Sequence, residues 1–383
     1  MKFVFAPDSF KGSISAMNAA RMLDAAARRH FSPLETVLVP VADGGEGTVD
    51  ALILATGGQY RTVRVTGPLG DPVDATYGML PDGETAVLEM AQASGLPLVP
   101  PDRRDPLRTS SYGTGEMMLD AICAGATKLL VGIGGSATND GGMGMLTALG
   151  WRFLDANGAP VHPCGAGLAQ VAHADGSNQN TALANVSITV ICDVNNPLLG
   201  PEGATRVYGP QKGAQGAMLE ELEAGMTHYA RKMAEVLGKD IASMPGAGAA
   251  GGMGAALAGV LGATLRSGID AILDAVQFDS ILEDADLAVT GEGRMDGQSI
   301  RFRKVPAGVA LRCSRKGVPL VALVGGMAEG ANELYDLADA SILTTINAAM
   351  PIEDAMANAN ALFEDAADRM FRMLAIGRRL GKR

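Results

Sequence analysis

The stretch Val131-Gly132-Ile133-Gly134-Gly135-Ser136-Ala137-Thr138-Asn139-Asp140-Gly141-Gly142-Met143-Gly144 changes character twice. The apolar run from Lys128 to Ile133 reads as a buried strand bounded by turn residues. Glycines and small polar side chains follow, and a helical pattern runs from Met143 to Leu149. A strand, a glycine loop and a helix form the repeating unit of a parallel α/β sheet. The same geometry can hold an anion on bare backbone N–H groups and a helix N-terminus. Gly134 and Gly135 remove Cβ bulk, Ser136, Thr138 and Asn139 add donors, and Asp140 suits a cation or a helix cap. A turn that merely joins strand to helix is the alternative. Thr-Asn-Asp set between two glycine pairs favours a site, with a phosphate or a carboxylate as the expected ligand.

The same rhythm brackets the chain. Lys2 to Ala6 reads as a strand, a helix follows from an N-cap at Ser15 to Arg29, Thr36 to Val41 is a strand, and a second helix stops at Gly57-Gly58. The alternation breaks at Arg61–Thr66, Val73–Leu80 and Thr85–Glu89, short strands joined by tight turns, with Pro81-Asp82-Gly83 a hairpin signal. Val186 to Cys192 is another buried strand and Met218 to Leu237 an amphipathic helix. From residue 287 the rhythm returns: strands at Leu287–Thr290, Pro319–Val324 and Ala340–Ile346, helices over Val305–Arg315 and Glu353 to about Leu380. Two strands at the start and three at the end predict one five-stranded doubly wound parallel sheet. The expected domains are therefore 1–61 plus 287–383, interrupted by a mixed α/β insert over 62–286. Ligands of such a sheet bind beyond the carboxyl ends of its strands, so the polar loops there should converge on one edge, facing the insert.

Composition narrows the function. The 383 residues include 50 glycines clustered after apolar runs, hydrophobic residues make up 47%, and aromatic residues only 4%. A net charge of −11 and this aromatic poverty leave no footprint for nucleic acid. Cys123, Cys164, Cys192 and Cys313 are far apart, which argues against zinc or a disulfide framework and for a cytoplasmic protein. The first apolar run ends too soon for a signal peptide. Met244 to Leu265 carries no charge, yet its bulk is Ala and Gly; it reads as a glycine loop leading into a tightly packed internal helix, and no membrane partner is expected.

Several loops carry charge. Asp8, Ser9 and Lys11 share one; Asp43 and Glu46 sit in Asp43-Gly44-Gly45-Glu46-Gly47-Thr48; Glu292, Arg294 and Asp296 share Thr290-Gly291-Glu292-Gly293-Arg294-Met295-Asp296. Asp193 follows a buried strand in Cys192-Asp193-Val194-Asn195-Asn196-Pro197, and Lys212 lies in Gly209-Pro210-Gln211-Lys212-Gly213. Each has a structural alternative: a local turn, a helix cap, an ion pair or a solvated lysine. Together they supply carboxylates for Mg²⁺, cations for phosphates and glycine cradles, the inventory for phosphoryl transfer. Neither a P-loop nor a protein-kinase catalytic motif is present.

These motifs resemble the signatures of the class I glycerate kinases. The similarity covers Ala6–Lys11, Pro40–Thr48, Gly132–Gly142, Cys192–Gly200, Gly209–Gly213, Pro245–Gly252 and Thr290–Arg294, in order along nearly the whole chain. It implies ATP- and Mg²⁺-dependent phosphorylation of a hydroxyl of D-glycerate, on a flavodoxin-like domain interrupted by a second α/β domain. On this reading Asp8, Lys11, Asp193 and Asp296 are the expected catalytic residues, and Asp43, Glu46 and Asp296 the expected metal ligands. Ser9, Gly134, Gly135, Ser136, Thr138, Asn139, Asp140, Lys212, Glu292, Arg294 and Lys304 are the expected substrate and phosphate contacts. A kinase of another hydroxy acid and a non-catalytic sugar-acid sensor are the rival readings; a homo-oligomer is left open. One segment departs from the family pattern Gln-Thr-x-x-Gly-Lys-x-Pro: here Gln298 to Pro306 is one residue longer, and Arg303 stands where the glycine precedes the lysine.

Overall fold

The computed structural model describes residues 1–42 and 47–380, and divides into two compact units. The first takes the described residues of Met1–Asp43, Asp50–Thr56 and Ser267–Arg383, the second those of Gly44–Val49 and Gly57–Arg266. Asp43 and Glu46, the expected metal ligands, lie outside the described residues.

The chain opens with β1 (Lys2–Pro7), α1 (Ala16–His30) and β2 (Glu35–Leu38). Ser15 caps α1 as expected, its hydroxyl accepting from the Asn18 N–H at 3.3 Å. After α2 (Thr48–Thr56), β3 (Gln59–Thr66), β4 (Pro72–Met79) and β5 (Thr85–Glu89) form an antiparallel meander. Asp82 builds the β4–β5 turn by accepting from the Glu84 and Thr85 N–H groups at 3.0 and 2.9 Å. There follow α3 (Ala91–Ser94), α4 (Tyr112–Cys123), β6 (Lys128–Gly132), α5 (Met143–Ala148), β7 (Arg152–Leu154), β8 (His173–Asp175) and β9 (Ser187–Ile191). Then come α6 (Ala204–Tyr208), α7 (Ala217–Leu237) and β10 (Thr264–Arg266). The second unit's sheet has the order β10-β9-β6-β5-β4-β3, parallel from β10 to β5 and antiparallel beyond. Its core, rich in methionine, includes Met117, Met118, Met143, Met226 and Met253.

The first unit resumes with α8 (Gly268–Ala275), α9 (Phe278–Ile281), β11 (Leu287–Gly291), β12 (Arg294–Met295), α10 (Gly297–Arg301) and α11 (Val305–Lys316). It ends with β13 (Leu320–Val324), β14 (Gly326–Met327), β15 (Ala340–Thr344), α12 (Ile352–Ala357) and α13 (Ala359–Leu380). The sheet order is β15-β13-β11-β1-β2, every pair parallel. Period-2 alternation splits each strand between two faces. Phe3, Phe5, Val289, Val321 and Leu323 join α1 and α13 on one face, where Phe3 stacks on Phe371 at 5.9 Å; α11 packs against β1, β11 and β13. This is the doubly wound α/β architecture read from the sequence.

Three local expectations need correction. Residues 267–286 pack with the first unit, because Ile269 of α8 presses on Gly308 of α11, where a Cβ would lie 2.4 Å away. The buried Arg312 guanidinium binds there to Asp274, Asp279 and Asp270 at 2.7, 3.2 and 3.3 Å. The last helix is two, broken at Asn358, which ends α12. Met244 to Leu265 forms no regular α-helix: a 3₁₀ turn over Ala249–Gly252 leads to a π-helical turn over Ala255–Val260. Gly251 is left-handed there (φ +69°), its own carbonyl accepts from the Gly141 N–H at 2.9 Å, and a Cβ on it would lie 2.0 Å from the Thr138 carbonyl oxygen. Only glycine lets these two loops meet back to back.

Candidate functional site

Parallel strands leave their loops at one edge, and in the first unit the loops after β1, β11, β13 and β15 enclose a cavity of about 420 Å³. Asp8, Ser9 and Lys11 come from the loop after β1, Glu292 and Arg294 from that after β11, Thr345 from that after β15, and Lys304 from the entrance to α11. Six expected site residues thus line one cavity. The loops are cross-tied. The Asp8 N–H donates to the Gly291 carbonyl at 2.8 Å, the Gly325 and Gly326 N–H groups donate to Glu292 and Gly293 at 3.0 and 3.1 Å, and β12 pairs with β14. Phe10 closes the first loop on Ile14 (N–H to carbonyl, 2.8 Å), which sets Lys11 at its tip. The Asp8 carboxylate accepts from the Ser9 N–H at 2.6 Å and is 7% exposed, as is Glu292.

Asp296 does not line this cavity. Its carboxylate caps α10, accepting from Gln298 and Ser299 N–H at 2.9 and 3.2 Å, while the Ser299 hydroxyl faces the Asp296 N–H in a capping box. In the altered segment Arg303 is left-handed (φ +48°) and exposed, whereas Lys304 turns inward. A left-handed conformation is the one glycine adopts most easily, so Arg303 loads strain on the backbone without placing bulk in the cavity.

The second unit holds the remaining expected residues. Gly134 and Gly135 are exposed at the start of the glycine loop, but Ser136, Thr138, Asn139 and Asp140 are buried. Asp140 accepts from the Ser111 N–H and hydroxyl at 2.8 and 2.7 Å and from the Gly142 and Gly144 N–H groups at 3.2 Å each, which anchors α4 and α5 to the loop. Burial pushes its pKa up, against the pull of those donors. The Lys212 ammonium, 2% exposed, donates to the Ser136 hydroxyl and the Thr138 carbonyl at 2.8 and 2.6 Å. Desolvation lowers its pKa to about 7, with the Asp140 charge opposing. The Thr138 hydroxyl, the Asn139 carbonyl oxygen and the Tyr229 hydroxyl are buried without a partner. Asp193 lies half-buried beyond β9.

Sequence reasoning missed two groups. Ser111, which holds Asp140, carried no signal beyond a run of small hydroxyls, Thr109-Ser110-Ser111. The cavity's apolar wall, with Phe10, Ile346, Ile352, Met356 and Leu362, was hidden because its side chains come from segments far apart in sequence.

The glycerate kinase family model matches residues 3–375. The chain belongs to this family. It is 48% identical over 372 residues to a glycerate kinase of Bacillus subtilis, covering 97% of this chain and 95% of that one. It is 45% identical to a glycerate 2-kinase of Escherichia coli, over 99% of each chain. A crystal structure from Salmonella typhimurium LT2, assigned as glycerate kinase 2, superposes with a TM-score of 0.89 at 45% identity over 99% of each chain. A glycerate kinase family member is a kinase.

Proposed function

We propose that this kinase transfers the terminal phosphoryl group of ATP to a hydroxyl of D-glycerate, with Mg²⁺, in the cytoplasm. The observation that carries the reading is the polar lining of the first unit's cavity, to which Lys11, Arg294 and Lys304 contribute together with Asp8 and Glu292. Phosphoryl transfer asks little covalent chemistry of a protein; positioning and charge neutralisation do most of the work. The three cations stabilise charge that develops on the transferring group. The Asp8 carboxylate, fixed by the Ser9 N–H, accepts the proton of the attacking hydroxyl.

The donor set fits Mg²⁺, since that ion is typically held by about one or two carboxylates plus substrate phosphates, and Glu292 would supply one. Held there by Glu292, the ion would supply neutralisation of the phosphate charge. Free cysteines accord with a reducing compartment, and no described helix is long and apolar enough to cross a membrane.

The test is ADP release with glycerate under saturating ATP and Mg²⁺, with phosphorus NMR of the product. Formation of a phosphoglycerate supports the reading. ATP turnover only with a different hydroxy acid, or none with glycerate, overturns it.

A further inference from the structure

The same cavity has a second half that phosphoryl chemistry does not explain. Besides the charged groups, Phe10, Ile346, Ile352, Met356 and Leu362 line it. A three-carbon hydroxy acid has no use for such a surface. A pocket of about 300–1,000 Å³, mostly apolar with a few convergent polar groups, is the size and make-up that takes a drug-sized molecule, and this one measures about 420 Å³.

Part of that wall is unusually bare. Of α12, no side chain is buried; Ile352 is 63% exposed and Met356 44%, although both face the cavity. Their i, i+4 spacing puts them on one side of the helix. Below Met356 lies Gly12 (φ +78°), where a Cβ would come within 3.1 Å of the Met356 methyl; glycine leaves that side chain room to settle lower. An element with so few buried contacts costs little to move, and methionine adapts readily to a flat polarizable ring.

We propose that the apolar half of this cavity is the purine subsite, with α12 lying over the base through Ile352 and Met356 while Lys11, Arg294 and Lys304 hold the phosphates. The assignment rests on the kinase reading above and deepens it: it names the unit that carries the nucleotide and the helix that covers the base. Apolar surface at one end and cations at the other match a nucleoside triphosphate, which is apolar at its ring and anionic at its tail.

Photolabelling of the full chain with 8-azido-ATP, followed by mass spectrometry of the peptides, tests this directly. Adducts within 346–362 are expected; adducts confined to 57–266 overturn the assignment. Met356→Glu and Ile352→Asp, surface changes that spare the core, should each weaken binding of the non-hydrolysable ATP analogue AMP-PNP roughly tenfold and that of inorganic tripolyphosphate less than twofold. The exposed control Met373→Glu on α13 should leave both unchanged. Equal loss of analogue and tripolyphosphate, or no loss of either, sinks the purine subsite while a glycerate-dependent ADP release still stands. Labelling at 346–362 in a protein that does not phosphorylate glycerate keeps the subsite and removes the substrate reading.

Discussion

The Lys212 ammonium lies 2.8 Å from the Ser136 hydroxyl, inside a loop where it is only 2% exposed. A lysine so enclosed holds its proton weakly: its pKa is about 7 in the fold against an ordinary 10.5. Between those values the unfolded chain binds more protons, so stability rises with pH across that window. Lys212→Met should lack this rise. Melting temperatures of parent and variant followed from pH 6 to pH 10 should diverge upward for the parent, and parallel curves would show that the lysine titrates normally.

Asp140 is buried with four N–H and O–H donors around it. Asp140→Asn turns one carboxylate oxygen into a donor that faces other donors, at a cost of about 1–3 kcal/mol in stability. Urea unfolding of the ligand-free protein measures it. A variant as stable as the parent, yet impaired in catalysis, would assign Asp140 to the ligand instead of to the loop.

Arg303 adopts the conformation that glycine adopts most easily (φ +48°). Arg303→Gly should therefore stabilise the protein by about 1 kcal/mol. Its side chain is exposed and absent from the cavity wall, so kcat and KM should hold. Unchanged or lower stability in urea would mean that the arginine contributes contacts that outweigh the strain.

Lys11 sits at the tip of the loop after β1, on the wall of the cavity. Lys11→Met should lower kcat by roughly 10²–10³, the usual effect of removing one electrostatic donor from a transition state. The melting temperature should move little, because the side chain is exposed. Parent-like turnover would remove Lys11 from the chemistry.

The fold was legible because its strands are short apolar runs that end in glycine or in a charged loop, and that punctuation survives without tertiary information. Grouping Asp8, Lys11, Glu292 and Arg294 followed from topology alone: parallel strands deliver their loops to one edge. Asp296 shows what spacing cannot settle. A carboxylate after a strand and before a helix fits both a metal site and a cap, and the capping role appears only when its N–H partners are placed. Buried Lys212 was equally ambiguous, since a turn of Gly-Pro-Gln-Lys-Gly gives no sign of which way its lysine points. The break at Asn358 was invisible because α12 and α13 share helical composition on both sides of it.

The register of β1 has a consequence for how the chain is made. Phe3 pairs with Thr36 on one side and with Leu287 on the other, so β1, an interior strand of the first sheet, is among the earliest segments synthesised and must wait for a neighbour that arrives almost three hundred residues later. The strands of the second sheet, from Gln59 to Arg266, all pair among themselves and can find their partners in that interval. Nascent chains halted before residue 287 should therefore carry a folded insert beside an open, apolar β1–β2 edge, the species on which a ribosome-bound chaperone would act.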